Sequence, residues 1–199
     1  MKLNNGFMVA LGEWEAMIYG GSFKNFDPTT RRLIGVKMAV EINHPHDLSV
    51  PTRDYSVPKL DDLEYALKEV FRFIRLGNDI YVGCMGGIGR TGLFMGCLLK
   101  CIDVYDGVEV DVDDIVCRVR EKYNPHAVET KEQKDFIGKL NVENVVCRMH
   151  ELFDTPVVVE SVVERVVEKV VEKVVEKEVV VERVITPWEW FMKFLVVRS

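Results

Sequence analysis

The chain has 199 residues, of which 48% are hydrophobic and 29% charged, with a formal net charge of −6. That length buries one substantial core, and a single folded domain is the default. The acidic balance argues against a general nucleic-acid binder, which needs clustered Lys and Arg, so no nucleic-acid partner is expected.

Five cysteines, Cys84, Cys97, Cys101, Cys117 and Cys147, show neither framework spacing nor a C-x2-C pair. Reduced thiols, a cytoplasmic location and no metal or other cofactor are therefore expected. No basic segment followed by a long apolar run opens the chain, and no apolar run reaches membrane-spanning length. Neither a secretory signal nor membrane contact is expected.

Residues 1–155 read as the folded domain. Ala16 to Tyr19 suits a short strand ended by Gly20-Gly21. Asp27-Pro28 reads as a helix start, running to Leu33, because Asp suits an N-cap and Pro the first helical position. Val36 to Ile42 is apolar and β-prone. Asn43 to Pro58, with several prolines, reads as a long loop of the kind that often carries function. Leu60, Leu63, Leu67, Val70, Phe71 and Ile74 recur at helical spacing, with Gly77 as the stop. Ile80 to Val82 is the next strand, and Thr91 to Ile102 an apolar helix. Val112 to Tyr123 and Thr130 to Leu152 read as two further amphipathic helices. Strands alternating with helices predict an α/β fold, a mostly parallel central sheet with helices on both faces.

Residues 156–186 differ in kind. Val-Val-Glu-Lys and Val-Val-Glu-Arg units repeat every four residues, a step of about 400° on an α-helix, so the Val pairs drift by about 40° per unit. No fixed heptad seam results. The reading preferred is a long helix capable of self-association, with an extended β arrangement and a solvated low-complexity stalk as alternatives. Residues 187–199 hold an aromatic cluster around Trp188, Trp190, Phe191 and Phe194, read as a docking segment.

The chemistry is concentrated in Asp79 to Gly92. An apolar strand runs into a Gly-rich loop, Cys84-Met85-Gly86-Gly87-Ile88-Gly89-Arg90-Thr91-Gly92, which then opens a helix. A phosphate dianion needs many donors converging on a small volume. A tight loop freed by Gly86, Gly87 and Gly89 can aim its backbone N–H groups inward, and the helix N-terminus adds favourable potential. Arg90 contributes a planar fork able to hold two phosphate oxygens. The same field is expected to lower the pKa of Cys84 and populate the thiolate, which can attack phosphorus in line with a leaving oxygen. Thr91 stands where its hydroxyl can reach that thiolate.

Cys84 to Gly92 resembles the phosphate-binding loop of the cysteine-based protein tyrosine phosphatase superfamily, of the compact dual-specificity type. Asp54-Tyr-Ser-Val-Pro58, followed by an acidic amphipathic helix, resembles the general-acid loop of that superfamily. Asn124 to Gln133 resembles the segment that supplies a water-positioning glutamine. The resemblance covers most of residues 15–140 and none of the repeat.

It implies a phosphoprotein phosphatase acting on phosphotyrosine, and on phosphoserine or phosphothreonine as a wider range, through a cysteinyl-phosphate. Cys84 is then the nucleophile, Met85 to Arg90 the phosphate cradle, Asp54 the general acid and Gln133 the residue that orients the water. Asp47 is the competing acid. His44 and His46 read as loop residues, Arg31 and Arg32 as a solvated helix face, and Cys97 and Cys101 as packing. One departure stands out: the superfamily usually has His before the nucleophile, and this chain has Gly83. That motivates an alternative, a phosphate-binding pseudophosphatase adaptor.

Overall fold

A computed structural model describes residues 5–154. The repeat and the aromatic segment, with the readings given to them, lie outside the described residues.

Five strands form one sheet: β1 (Gly6–Leu11), β2 (Trp14–Ser22), β3 (Leu33–Ala39), β4 (Leu48–Thr52) and β5 (Asp79–Cys84). Their order across the sheet is β1-β2-β5-β3-β4. β1 pairs with β2 antiparallel, and every other pairing is parallel. The expected mostly parallel α/β sheet is thus present, with one antiparallel edge.

Among the described residues, five α-helices accompany the sheet: α1 (Leu60–Arg75), α2 (Gly89–Tyr105), α3 (Val112–Lys122), α4 (Lys131–Lys139) and α5 (Glu143–Phe153). The apolar spacing of α1 buries Leu63, Leu67, Val70, Phe71 and Ile74. Its stop is the one read from the sequence, Gly77 in a left-handed conformation at φ 75°. α2 is buried on all sides from Gly89 to Asp103, as a central helix apolar all round should be. It packs on β5, α3, α4 and α5, while α5 also packs on α1, so the helices make one connected layer. Against Tyr81 of β5 the cover is an aromatic turn instead: Phe26 stacks on Tyr81 with ring centroids 5.7 Å apart, and on Phe23 at 5.1 Å. Helices on both faces were expected; the crossover from β2 to β3 holds only a short 3-10 turn, Phe23–Asn25.

Three sequence expectations are corrected. The helix expected from Asp27 does not form. Asp27 accepts hydrogen bonds from N and Oγ1 of Thr29, at 2.9 and 2.7 Å, but the chain only turns. Arg32 then takes φ 61° and delivers the chain into β3. The loop from Asn43 contains β4, whose Pro51 is tolerated because β4 lies at a sheet edge. The single helix expected from Thr130 to Leu152 is two. Nζ of buried Lys100 donates to the carbonyls of Ile137 and Gly138, at 2.9 and 2.8 Å, ending α4. Asn141 accepts from N of Glu143 at 2.9 Å where the chain turns into α5.

Candidate active site

The Cys84 loop joins the C-terminal end of a central parallel strand to the N-terminus of the most buried helix. Such a position favours an anion. Cys84 is buried at the base of the loop, and its Sγ accepts a hydrogen bond from N of Gly87 at 3.2 Å. Gly87 has φ 74°, and a side chain there would run into the backbone of Gly21, so only glycine fits. The Gly87 carbonyl accepts from the hydroxyl of Tyr123. Met85 and Gly86 are exposed at the mouth, and Ile88 is half-buried.

Arg90 is 2% exposed, and four of its five N–H donors are engaged. Nη1 donates to Oε2 of Glu41 and to the Thr52 carbonyl, both at 2.9 Å. Nη2 donates to Oε1 of Glu41 at 2.7 Å and lies 3.0 Å from Oδ1 of Asp54. Nε is buried without a partner. Burial opposes the charge on Arg90, yet hydrogen bonding to Glu41 and the nearby Cys84 and Asp54 raise its pKa above the ordinary value. The Arg90 hydrogen bonds in turn hold Glu41 below the usual carboxylate range. Burial, with Cys84 close by, pushes the Tyr81 phenol up to about 12 and moves Tyr123 in the same direction.

Asp54 therefore meets the Cys84 loop through Arg90, with its side chain 62% exposed. Tyr55, the next residue, takes φ 57°. Asp47 is a structural carboxylate: its Oδ2 accepts from N of Gly35 at 2.7 Å, which ties the loop to β3. His44 packs edge-on to Phe23 at 5.8 Å, and its Nδ1 lies 3.1 Å from the Pro45 carbonyl oxygen. Thr91 is buried, and its Oγ1 has no partner. Cys97 and Cys101 are buried in α2, where burial pushes both thiols up, Cys101 to about 12.

Gln133 is fully buried. Its Oε1 accepts from N of Glu129 at 2.9 Å and N of Thr130 at 3.3 Å, forming the capping box of α4 with Thr130. Its Nε2 is buried without a partner and lies beside Gly89.

Glu41 was not singled out from the sequence. It lies 49 residues from Arg90 in a segment with no local pattern, and only the burial of a charged Arg90 demands such a partner. Gly83 also has a physical reason. A Cβ there would sit 2.9 Å from the Gly21 carbonyl oxygen and from Cα of Phe23, so histidine has no room.

Residues 30–102 match the family model described as a polymorphic toxin system DSP-PTPase phosphatase. Two uncharacterized proteins of Methanocaldococcus jannaschii are similar in sequence. MJECL20 is 32% identical over 90 residues, which are 45% of this chain and 56% of that protein. MJ0215 is 30% identical over 90 residues, 45% of this chain and 52% of that protein. The matched part thus spans about half the length of these relatives. The crystal structure of Tk-PTP in its active form shares the fold at a TM-score of 0.52 and 22% identity, covering 68% of this chain and 97% of that one. A mutant form of Tk-PTP gives 0.51 and 22%, covering 67% and 93%. Residues 30–102 are thus similar in sequence to that dual-specificity phosphatase family model, and most of the described residues share the fold of Tk-PTP.

Proposed function

We propose that the chain is a phosphoprotein phosphatase that hydrolyses phosphotyrosine, and phosphoserine or phosphothreonine as secondary substrates, through a cysteinyl-phosphate. The observation that carries this is the convergence on one guanidinium of the loop that holds Cys84 and of the acid carboxylate, Asp54. Phosphate enters against the free Nε of Arg90 and takes the Nη2 position that Asp54 occupies. Glu41 and the Thr52 carbonyl keep the guanidinium in plane while this exchange occurs. The released Asp54 carboxylate takes a proton from solvent and passes it to the leaving oxygen as Cys84 Sγ attacks phosphorus and the P–O bond breaks. Asp54, now ionised, then takes the proton of the water that cleaves the P–S bond.

Exposed side chains at the mouth support a protein substrate. Met85 follows Cys84, Val40 precedes Glu41 and Tyr55 follows Asp54; all three are exposed and uncharged. A polyphosphorylated small molecule would call for basic groups at such positions.

The test is phosphate release from p-nitrophenyl phosphate and from phosphotyrosine, phosphoserine and phosphothreonine peptides, with chelator present. Turnover that vanadate inhibits, and that Cys84→Ser removes, is expected. Full activity in Cys84→Ser would overturn the mechanism. Tight phosphopeptide binding without release over hours would establish the adaptor reading in its place.

A further inference from the structure

We propose that Glu129 holds the water that hydrolyses the cysteinyl-phosphate, accepting a hydrogen bond from it while Nε2 of Gln133 donates another. The inference rests on the two-step phosphatase reading above. It gives the hydrolytic half of the cycle a second carboxylate, distinct from Asp54.

Two polar groups converge on the phosphate loop at Gly89. A methyl group built on Gly89 would lie 2.1 Å from Oε2 of Glu129 and 3.2 Å from Nε2 of Gln133. The first is an acceptor and the second a buried donor without a partner. Because Oε1 of Gln133 is held by the backbone N–H groups of Glu129 and Thr130, its amide can present only Nε2 to the loop. Only glycine at position 89 lets the Glu129 carboxylate lie on the backbone one residue before Arg90.

The chain is strained to put Glu129 there. Val128, β-branched and buried, takes φ 58°. That conformation is costly for a β-branched residue and persists only where the surroundings impose it. Arg120 imposes it from one side: its Nε donates to the Ala127 carbonyl at 3.0 Å and its Nη2 to the Val128 carbonyl at 3.1 Å. α2 imposes it from the other, for a Cβ on Gly92 would lie 2.7 Å from both Cβ of Ala127 and N of Val128. Glu129 itself is exposed and borders a groove of about 540 Å³ shared with Arg120, Val128 and Thr130.

In the hydrolytic step the water oxygen bonds to phosphorus and the P–S bond breaks. Its electron pair returns to Cys84 Sγ, and the water proton passes to the Asp54 carboxylate. Glu129 takes no part in the proton transfer and fixes the direction of the water lone pair.

The experiment is stopped-flow hydrolysis of p-nitrophenyl phosphate by the full chain carrying Glu129→Ala or Glu129→Gln. For Glu129→Ala, the rate of the p-nitrophenol burst is expected to stay within about 2-fold of wild type, since phosphoryl transfer to Cys84 does not use this water. The steady-state rate is expected to fall ~10-fold or more, as misplacing a reactant does. Glu129→Gln, which keeps an acceptor at the same place, should recover most of that loss. Burst and steady-state rates that fall together, rates that both stay unchanged, or a Gln variant no better than Ala would each overturn the role of Glu129. If wild-type protein never carries a phosphoryl group on Cys84 during turnover, it is the phosphatase reading that fails, and this inference with it.

Discussion

Two turns bring carboxylates to the cradle, and they are built in opposite ways. Asp54 and Glu129 each adjoin a residue in the left-handed region, Tyr55 at φ 57° and Val128 at φ 58°. The first turn is open to solvent, with Tyr55 61% exposed and Asp54 paired with Arg90. In the second, Ala127 and Val128 are buried, clamped by Arg120 and pressed against α2. The same backbone strain thus serves two purposes. In the proposed mechanism, the acid that leaves Arg90 as phosphate arrives sits on a turn with little to hold it. The carboxylate proposed to keep a water aligned sits on a turn that is clamped in place.

The largest effect is expected on the open turn. Asp54→Ala should lower kcat by ~100-fold or more for a substrate with a poor leaving group, because the acid acts in the transition state. KM should stay level or fall, since Nη2 of Arg90 is then free for phosphate. Steady-state kinetics on a phosphoserine peptide reads both, and a risen KM at unchanged kcat would show that Asp54 binds rather than protonates.

The fixed side of the cradle is next. Gly83→His, which restores the residue usual before the nucleophile, should destabilise the fold by about 1–3 kcal/mol, the usual cost of overpacking. The cause is backbone 2.9 Å from the new Cβ. Higher activity with an unchanged melting temperature would contradict that packing.

The two turns can also be set against each other directly. Arg120→Ala leaves the carbonyls of Ala127 and Val128 without their donor and should cost about 1–3 kcal/mol. Tyr55→Gly relieves a similar φ on an exposed turn and should raise stability, or leave it within about 1 kcal/mol. Thermal melts of equal size and sign for the two variants would erase the contrast.

The smallest effect concerns Glu41. Its folded pKa lies below the ordinary 4.5, so its stabilising pairing with Arg90 is complete above that value and is lost as pH falls through the lowered one. Glu41 is 36% exposed, so the pairing contributes about 1 kcal/mol or less. Glu41→Gln should melt below wild type at neutral pH, and the gap should close on acidification below pH 4.5. A gap that widens in acid would reverse the sign of this account.

Legibility in the sequence followed how local each feature is. Cys84 to Gly92 is one contiguous segment in which strand, glycines, Arg90 and helix appear in order, so the cradle could be read directly. α1 and β5 were readable from periodicity and apolar run. β4 was hidden by Pro51, which an edge strand accepts and a central one does not. The break between α4 and α5 depends on Lys100 reaching across from α2, which no local pattern reveals. Glu41 and Glu129 were missed for the same reason, since each acquires meaning only from a contact with the distant loop. The water-orienting role expected for Gln133 is untouched by its fold position, but the sequence does not reveal that Oε1 caps α4 and leaves Nε2 facing the loop.

The central claim is that a phosphoryl group passes through Cys84. Rapid acid quench of turnover with a phosphotyrosine peptide, followed by mass spectrometry of the Cys84 peptide, tests it most directly. The account predicts a phosphoryl group on Cys84 in wild type, more of it in Glu129→Ala, and none in Cys84→Ser. Phosphate release at full rate from a protein whose Cys84 is never phosphorylated would contradict it.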